Sequence, residues 1–285
     1  GPIESCEVEI RPLKSIEDCL LMQPVMARVW GPEFVVPDHL SFKIAKYGGV
    51  VLGAFINGAL VGFTLSFPMH QNYLHGLYLH MIGVVPEYQS ARVGLRLMLS
   101  LGRAAAAIGH RMVTWTYDPL ESPNARLYIG KLGAICNEYK PNYYGILNDQ
   151  RNRGAATDRF QVQWWVETPR IAMLLEQSVR GADPTQLVAA GLNQAEVGGD
   201  ALAINDVSTR PDGLLVPGVP RLDLKGQDLL LHIPVDFHEI KQQDQELANC
   251  WRMQTRSVFT AYFARGWTAT GFLRGDRFNT YVLQK

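Results

Sequence analysis

The six residues Gln-Ser-Ala-Arg-Val-Gly at positions 89–94 have the composition of a loop that binds an anion through its backbone. An apolar run ends at Pro86, and an amphipathic helix is predicted from Val93 onward. In this order of strand, short loop and helix, the first N–H groups of the helix and the positive end of its dipole face whatever lies beyond the helix N-terminus. The segment therefore predicts a diphosphate site, formed by Gln89, Ser90, Ala91, Arg92, Val93 and Gly94. The plainer interpretation is an ordinary strand–helix turn.

His80, in the strand before this loop, has the right chemistry for proton transfer. An imidazole with a pKa of about 6.5 can accept a proton from an ammonium group. Uninterrupted strand alternation would place His80 on the same face as Ile82, two residues later. The alternative is a hydrogen-bonded histidine in the core.

Three arginines in a polar stretch, Arg151, Arg153 and Arg159, could each hold a carboxylate through two hydrogen bonds. Solvated surface is the plainer interpretation of each one. His70, His75 and His80 are spaced five residues apart, and on a single strand this spacing alternates between faces. The sequence therefore predicts no metal site.

The elements that must position these residues follow from apolar periodicity and turn signals. Pro24 should kink or divide the first helix, Asp38 should cap the second, and Asn57-Gly58 should form a type I′ hairpin turn. Ser122 should cap a helix that Gly133 ends. The predicted helices are 16–30, from Asp38 to Gly48-Gly49, 93–108, 122–133 and 240–265. The predicted strands are 7–11, 50–56, 59–67, 73–85, 112–116, 135–139, 160–166, 229–233, 267–273 and 279–283, with short strands and turns over 180–228. The helix 93–108 should act as a crossover that makes strand 112–116 parallel to strand 73–85.

The composition argues against bulk nucleic-acid binding, membrane binding by charge, and a membrane span. Lys+Arg and Asp+Glu both number 27, so no overall charge favours nucleic acid or an acidic membrane. No apolar run reaches the roughly 18 residues of a membrane span. The four cysteines are scattered without metal-ligand spacing, which favours a cytoplasmic protein with free thiols.

The strand, the Gln-x-x-Arg-x-Gly loop and the following helix resemble the acyl-CoA-binding core of the GNAT N-acyltransferase superfamily. Arg92 stands where that pattern has its first glycine. Either its side chain reaches a CoA phosphate, or its Cβ crowds the loop and weakens CoA binding. The resemblance implies an α+β fold with a mixed, mostly antiparallel sheet flanked by helices. It also implies that an N–H near Ile82 or Val84 stabilises the oxyanion of a thioester.

The resemblance also implies roles for residues elsewhere in the chain. The superfamily often has a general-acid Tyr where this chain has Ile129, which leaves Tyr128, Tyr143 or Tyr144 as candidates. Asn124 could bond the pantetheine amides or cap its helix. The acceptor amine would bind near Trp30 and His39, and Arg159 is the candidate for holding its carboxylate.

Further segments, among them Asn142-Tyr143-Tyr144-Gly145 and Thr157-Asp158-Arg159-Phe160, are similar to one bacterial branch of the superfamily. Some members of that branch resemble amino-acid N-succinyltransferases. We therefore expect an N-acyltransferase that moves an acetyl or succinyl group from acetyl-CoA or succinyl-CoA to an amino-acid-like amine. Alternatives are the same chemistry from an acyl carrier protein, and a non-catalytic protein that binds CoA or a partner.

Two domains are predicted, an acyltransferase domain over residues 7–166 and an α/β extension over 167–285. The extension repeats the order helix, glycine, strand, strand, which indicates a half-copy of the fold without the phosphate loop. Exposed sheet edges make a homodimer plausible.

Overall fold

The computed structural model describes residues 7–71, 74–145, 156–179 and 196–285. Its strands, in chain order, are β1 (Glu9–Pro12), β2 (Val50–Ile56), β3 (Ala59–Gln71), β4 (Leu74–Val84), β5 (Met112–Tyr117), β6 (Ile135–Lys140), β7 (Arg159–Trp165), β8 (Leu202–Ala203), β9 (Val207–Thr209), β10 (Leu215–Pro217), β11 (Asp228–Pro234), β12 (Thr268–Leu273) and β13 (Phe278–Gln284). Its α-helices are α1 (Ile16–Trp30), α2 (Asp38–Lys46), α3 (Val93–Ala107), α4 (Ser122–Ala125), α5 (Pro169–Val179), α6 (Phe237–Gln243) and α7 (Gln245–Ala264). Short 3₁₀ segments cover Pro32–Phe34 and Pro86–Ala91, and a π-helical turn covers Arg126–Lys131.

The chain divides into two compact units, each built from two separate stretches. The first unit comprises residues 1–115 and 165–190, and the second comprises 116–164 and 191–285. The predicted domain boundary after residue 166 therefore falls inside the second stretch of the first unit.

The first unit has a mixed sheet in the order β1–β2–β3–β4–β5. Its neighbours are antiparallel except for β4 and β5, which are parallel, as the sequence predicted. The β2–β3 hairpin turns through Asn57 and Gly58 with φ of 51° and 77°, the positive values that a type I′ turn requires. The predicted turn chemistry is therefore confirmed.

Two helix predictions in this unit need correction. The helix α1 is not divided at Pro24, because a Ser15–Asp18 capping box fixes its start and four buried residues anchor one face. Asp38 is the first residue of α2 and not its cap, since Pro37 occupies the cap position.

The second unit has a mixed sheet in the order β7–β6–β12–β13–β11–β8. Among the described residues of this sheet, β11 and β8 are parallel and the other neighbours are antiparallel. Its core is aromatic, with Trp164, Trp251, Phe160, Phe259 and Tyr281 fully buried. Burial of such large side chains is the main favourable term in its folding. The separate β9–β10 ribbon is antiparallel.

Predictions of caps and helix length also fail in the second unit. The Ser122 hydroxyl donates to the Pro234 carbonyl at 2.8 Å and caps nothing. The helix predicted over 240–265 is two helices, because Asp244 ends α6 and its side chain accepts from the Leu247 N–H at 2.9 Å to begin α7. Residues 180–195, part of the predicted turn-rich region, lie outside the described residues.

Among the described residues, none of the helices has the length and apolar content that a bilayer span requires. Cys19, Cys136 and Cys250 are free thiols, and Cys6 lies outside the described residues.

Candidate active site

The C-terminal half of β4 presents backbone donors along an open edge. The Val85 N–H donates to the Val61 carbonyl of the β3 side at 2.9 Å. Because backbone groups alternate along a strand, the N–H groups of Ile82 and Val84 point to the opposite edge. On that edge, in the part of the chain that the structure describes, β5 pairs only with Leu77 and Tyr78. The backbone at Ile82 and Val84 can therefore donate to a ligand placed beside the strand.

A β-bulge at His80 interrupts β4. Leu65 of β3 pairs with Met81, and the next residue, Ser66, pairs with Leu79, so His80 is the extra residue. Its ring lies 6.2 Å from that of Phe67, whose side chain is on the opposite face of β3 from the partner of Ile82. The predicted shared face of His80 and Ile82 is therefore wrong.

The environment of His80 suits a proton acceptor. Burial lowers the pKa of the imidazole below its usual value, which keeps it neutral at pH 7. The residue nevertheless stays exposed by more than a third, so a substrate or water can reach the ring. Whether His80 acts as the base stays a prediction.

The segment after β4 is tied to the strand and ends in a special backbone conformation. The Gln89 side-chain amide donates to the Val84 carbonyl at 3.2 Å. Arg92, between the 3₁₀ segment and α3, has φ 58° and ψ 19°, the left-handed conformation that glycine adopts most easily. This is the position where the resemblance expects glycine, so the backbone keeps the shape that glycine would allow.

Basic side chains surround the start of α3. Arg92 and Arg96 are both exposed, and they lie one helical turn apart. A Cβ placed on Gly94 would meet only Val84, at 4.0 Å, so the space over the first turn is open. Open space, helix N–H groups and two guanidinium groups together suit a diphosphate. Sequence reasoning missed Arg96, although its spacing of four from Arg92 could have revealed it.

The end of α1, where the predicted acceptor-binding residue Trp30 lies, packs close to β4. A Cβ on Gly83 would come within 3.1 Å of Val29, which places the end of α1 over this part of the strand. An ion pair between Arg28 and Glu87 fixes α1 to the loop as well. Trp30 is 37% exposed, and the His39 side chain is 69% exposed beside Asp38. Trp30 is the last residue of α1 and follows Val29, whereas His39 is on the first turn of α2.

Four other predicted site residues belong to the second unit. Tyr128 is buried with its ring edge-on to Tyr117 at 5.3 Å, and burial raises the pKa of its phenol to about 12. Asn124 is in α4. Tyr144 and Arg159 lie together, with the guanidinium 5.4 Å from the ring centre. Arg151 and Arg153 lie outside the described residues.

The histidine spacing argument was wrong in its geometry. His70 and His75 are not on one strand but are cross-strand partners in β3 and β4, with rings stacked at 4.1 Å. Within the described ranges, no group of three or more His, Cys, Asp or Glu side chains is arranged to hold a metal ion.

Part of the chain is similar to known proteins. Residues 21–134 match the model of the acetyltransferase (GNAT) family. Similar solved structures include the GNAT-family acetyltransferase of Streptococcus pneumoniae (16% identity, TM-score 0.47, covering 55% of this chain and 98% of that one). The ribosomal-protein-S18-alanine N-acetyltransferase of Escherichia coli is 16% identical, with TM-score 0.47 and coverage of 57% and 96%. The acetyltransferase YncA of Salmonella typhimurium, solved with its cofactor acetyl-CoA, is 18% identical, with TM-score 0.46 and coverage of 57% and 95%. No curated protein matches the chain.

Residues 21–134 thus match the model of the GNAT acetyltransferase family, and the predicted α+β fold with a mixed sheet is confirmed. This segment contains the open edge of β4, His80 and the start of α3. The rest of the chain lies outside the family match. The closer resemblance to amino-acid N-succinyltransferases stays a prediction.

Proposed function

We propose that this protein transfers an acyl group from acyl-CoA to the amine of a small molecule by direct attack. One observation carries the proposal: the first unit contains hydrogen-bond donors for a diphosphate and, on the preceding strand, backbone N–H donors for a carbonyl oxygen. The start of α3, with Arg92 and Arg96, would hold the diphosphate, and the Ile82 or Val84 N–H would donate to the thioester oxygen as it becomes negative. Gly94 leaves room for the ligand.

His80 would accept the proton of the attacking ammonium, directly or through a water. The neutral amine then adds to the thioester carbon, and the nitrogen becomes positively charged as the carbonyl oxygen becomes negative. The oxyanion collapses, the CoA thiolate departs with the C–S bond electrons, and the second proton lost by the nitrogen passes to the thiolate or to solvent, which gives the amide and CoA. An acetyl or succinyl donor and an amino-acid-like acceptor are the specific reactants that we propose. The general acid for the thiolate stays unassigned, because buried Tyr128 is poorly placed to donate to a ligand.

Calorimetric titration with acetyl-CoA, succinyl-CoA and free CoA tests the proposal first. We expect micromolar binding that depends on the acyl group, followed by thiol release when amines are screened. Absence of binding to all three would contradict acyl-CoA as the donor and direct the search to carrier-protein thioesters. Binding without thiol release across many amines would support a non-catalytic role.

A further inference from the structure

The turn that follows β6 in the second unit is held by an unusually complete set of hydrogen bonds. The Asn142 N–H donates to the Asp158 carboxylate at 2.9 Å, and the Tyr144 N–H donates to the Thr157 hydroxyl oxygen at 3.0 Å. The Thr157 hydroxyl in turn donates to the Gly145 carbonyl at 2.9 Å. The turn is therefore fixed in one conformation, which reduces the entropy lost when a ligand binds.

This rigid turn displays two aromatic rings to solvent. Tyr143 is 44% exposed and Tyr144 is 47% exposed, and their rings meet edge-on at 4.8 Å. The Tyr144 hydroxyl lies 3.2 Å from the Thr116 hydroxyl, at the end of β5. Two hydroxyl groups are thus held side by side at an accessible surface, where either can donate to an incoming acceptor.

The β6–β7 strand pairing places two positively charged side chains opposite each other near these hydroxyls. Lys140 and Arg159 are direct cross-strand partners in β6 and β7. Like charges in such a pair are destabilising. Lys140 is partly neutralised by Glu138 at 3.0 Å, whereas Arg159 forms no ion pair with any acidic side chain in the described ranges.

Two acidic groups of this unit already have guanidinium partners. Asp158 receives two hydrogen bonds from Arg256, at 2.9 and 2.7 Å. Asp118 receives two from Arg252, at 2.7 and 2.6 Å. Each of these carboxylates has its own guanidinium, and Arg159 contributes only a longer-range charge that helps to lower the pKa of Asp118.

We propose that Arg159, Tyr144 and Thr116 form a binding site for the carboxylate of a small molecule. The guanidinium can donate two parallel N–H bonds to the carboxylate, a geometry that it offers better than lysine. The adjacent hydroxyls can donate to a remaining lone pair. The guanidinium carbon lies 5.4 Å from the centre of the Tyr144 ring, a cation–π contact that favours this position of the side chain. This site is in the second unit and specifies the partners of Arg159, which the sequence singled out for binding a carboxylate. Its test requires carboxylate binding alone and does not depend on acyl transfer.

Two sources of carboxylate fit this chemistry, an amino acid and a dicarboxylic acid. The test is calorimetric titration of the full-length protein with L-alanine, succinate and, as a cation without a carboxylate, ethylamine. We expect at least one of the two carboxylates to bind and ethylamine not to bind. Alanine without succinate identifies an amino-acid site, and succinate without alanine identifies a dicarboxylate site.

Variants separate recognition from packing. Arg159→Gln should weaken carboxylate binding by at least about tenfold, the value of a charge-assisted bidentate contact, and Tyr144→Phe by roughly threefold. Arg274→Gln, which removes an exposed arginine elsewhere in the same unit, should leave binding unchanged.

The melting temperature distinguishes a binding role of Arg159 from a structural one, because loss of a structural residue would lower it. Without ligand, Arg159→Gln should melt at the same temperature as the parent protein or higher, because the Lys140–Arg159 repulsion is gone. Lower stability combined with unchanged binding would overturn the proposal. So would the absence of any Arg159-dependent binding of either carboxylate.

Discussion

Arg92 is a charged residue in a backbone conformation that normally selects glycine. A left-handed conformation costs a residue with a Cβ about 1–2 kcal/mol, and the positive φ is accompanied here by an exposed guanidinium at the helix start. The same residue has both the conformational cost and the positive charge. We infer that the guanidinium is the feature of Arg92 that a ligand could use.

Replacing Arg92 by glycine should weaken CoA binding roughly three- to tenfold, because a charge-assisted donor to a phosphate is lost. Stability should change by less than about 1 kcal/mol, since relief of the left-handed strain is offset by the greater entropy of an unfolded glycine. Calorimetry with CoA and a denaturation curve measure the two effects.

Asparagine is the matched control for Arg92, because it tolerates the left-handed conformation and carries no charge. Arg92→Asn should bind CoA as weakly as Arg92→Gly. Tighter binding by the glycine variant alone would instead show that the Cβ of Arg92 crowds the loop.

His80 should impose an acid limb on the pH profile of kcat/KM. Its pKa is lowered by burial, so the limb lies below pH 6.5: activity rises as pH increases through the pKa and is level above it. His80→Gln should remove this limb and reduce kcat/KM by about 100-fold at neutral pH.

Replacing the exposed His238 by glutamine is a control that should leave the profile intact. A limb that persists in His80→Gln would assign the proton transfer to another group.

At the scale of elements, the break between α6 and α7 shows how one side chain sets a helix boundary. Asp244→Ala should lower the free energy of unfolding by about 1–2 kcal/mol, because the Leu247 N–H loses its capping acceptor. The aspartate also pairs with Arg210 at 2.7 Å. Asp244→Asn retains the cap without the charge and should be nearly as stable as the parent in urea denaturation. Equal losses in both variants would show that the ion pair, and not the cap, is what matters.

Local signals predicted most helices and strands, because apolar periodicity and turn residues depend only on residues that are close in the sequence. The Asn57-Gly58 hairpin and the parallel β4–β5 crossover are examples. The bulge at His80 could not be predicted, since an extra residue is defined only by register with a strand elsewhere in the chain. The same holds for the continuity of α1 through Pro24, where tertiary packing outweighs the lost hydrogen bond.

The candidate site shows the same division. The anion loop was recognisable from contiguous residues, and Arg92 was singled out. The open edge at Ile82 and Val84 depends on where pairing with β5 stops, and the pairing of Arg159 with Lys140 depends on β6–β7 register. Both are properties of strands brought together by folding.

At the scale of the molecule, the discontinuous units predict how fragments behave. A fragment of residues 167–285 should not fold cooperatively, because β12 loses its neighbour β6 and buried Arg252 loses Asp118. Leaving one partner of such a pair buried and unpaired costs about 3–5 kcal/mol. Thermal melting followed by circular dichroism measures the outcome.

A fragment of residues 116–285 contains both stretches of the second unit and is the matched comparison. It should melt cooperatively. Cooperative melting of 167–285 alone would instead support the domain boundary predicted after residue 166.

The pairing of Cys136 in β6 with Ala269 in β12 joins two strands that are synthesised at very different times. At about 5–20 residues per second, β6 leaves the ribosome on the order of ten seconds before its partner strand exists. During that interval its edge is available to other chains, and holding factors that shield it should raise the yield of native protein. Slow translation would therefore harm this protein more than one whose strands pair with close neighbours.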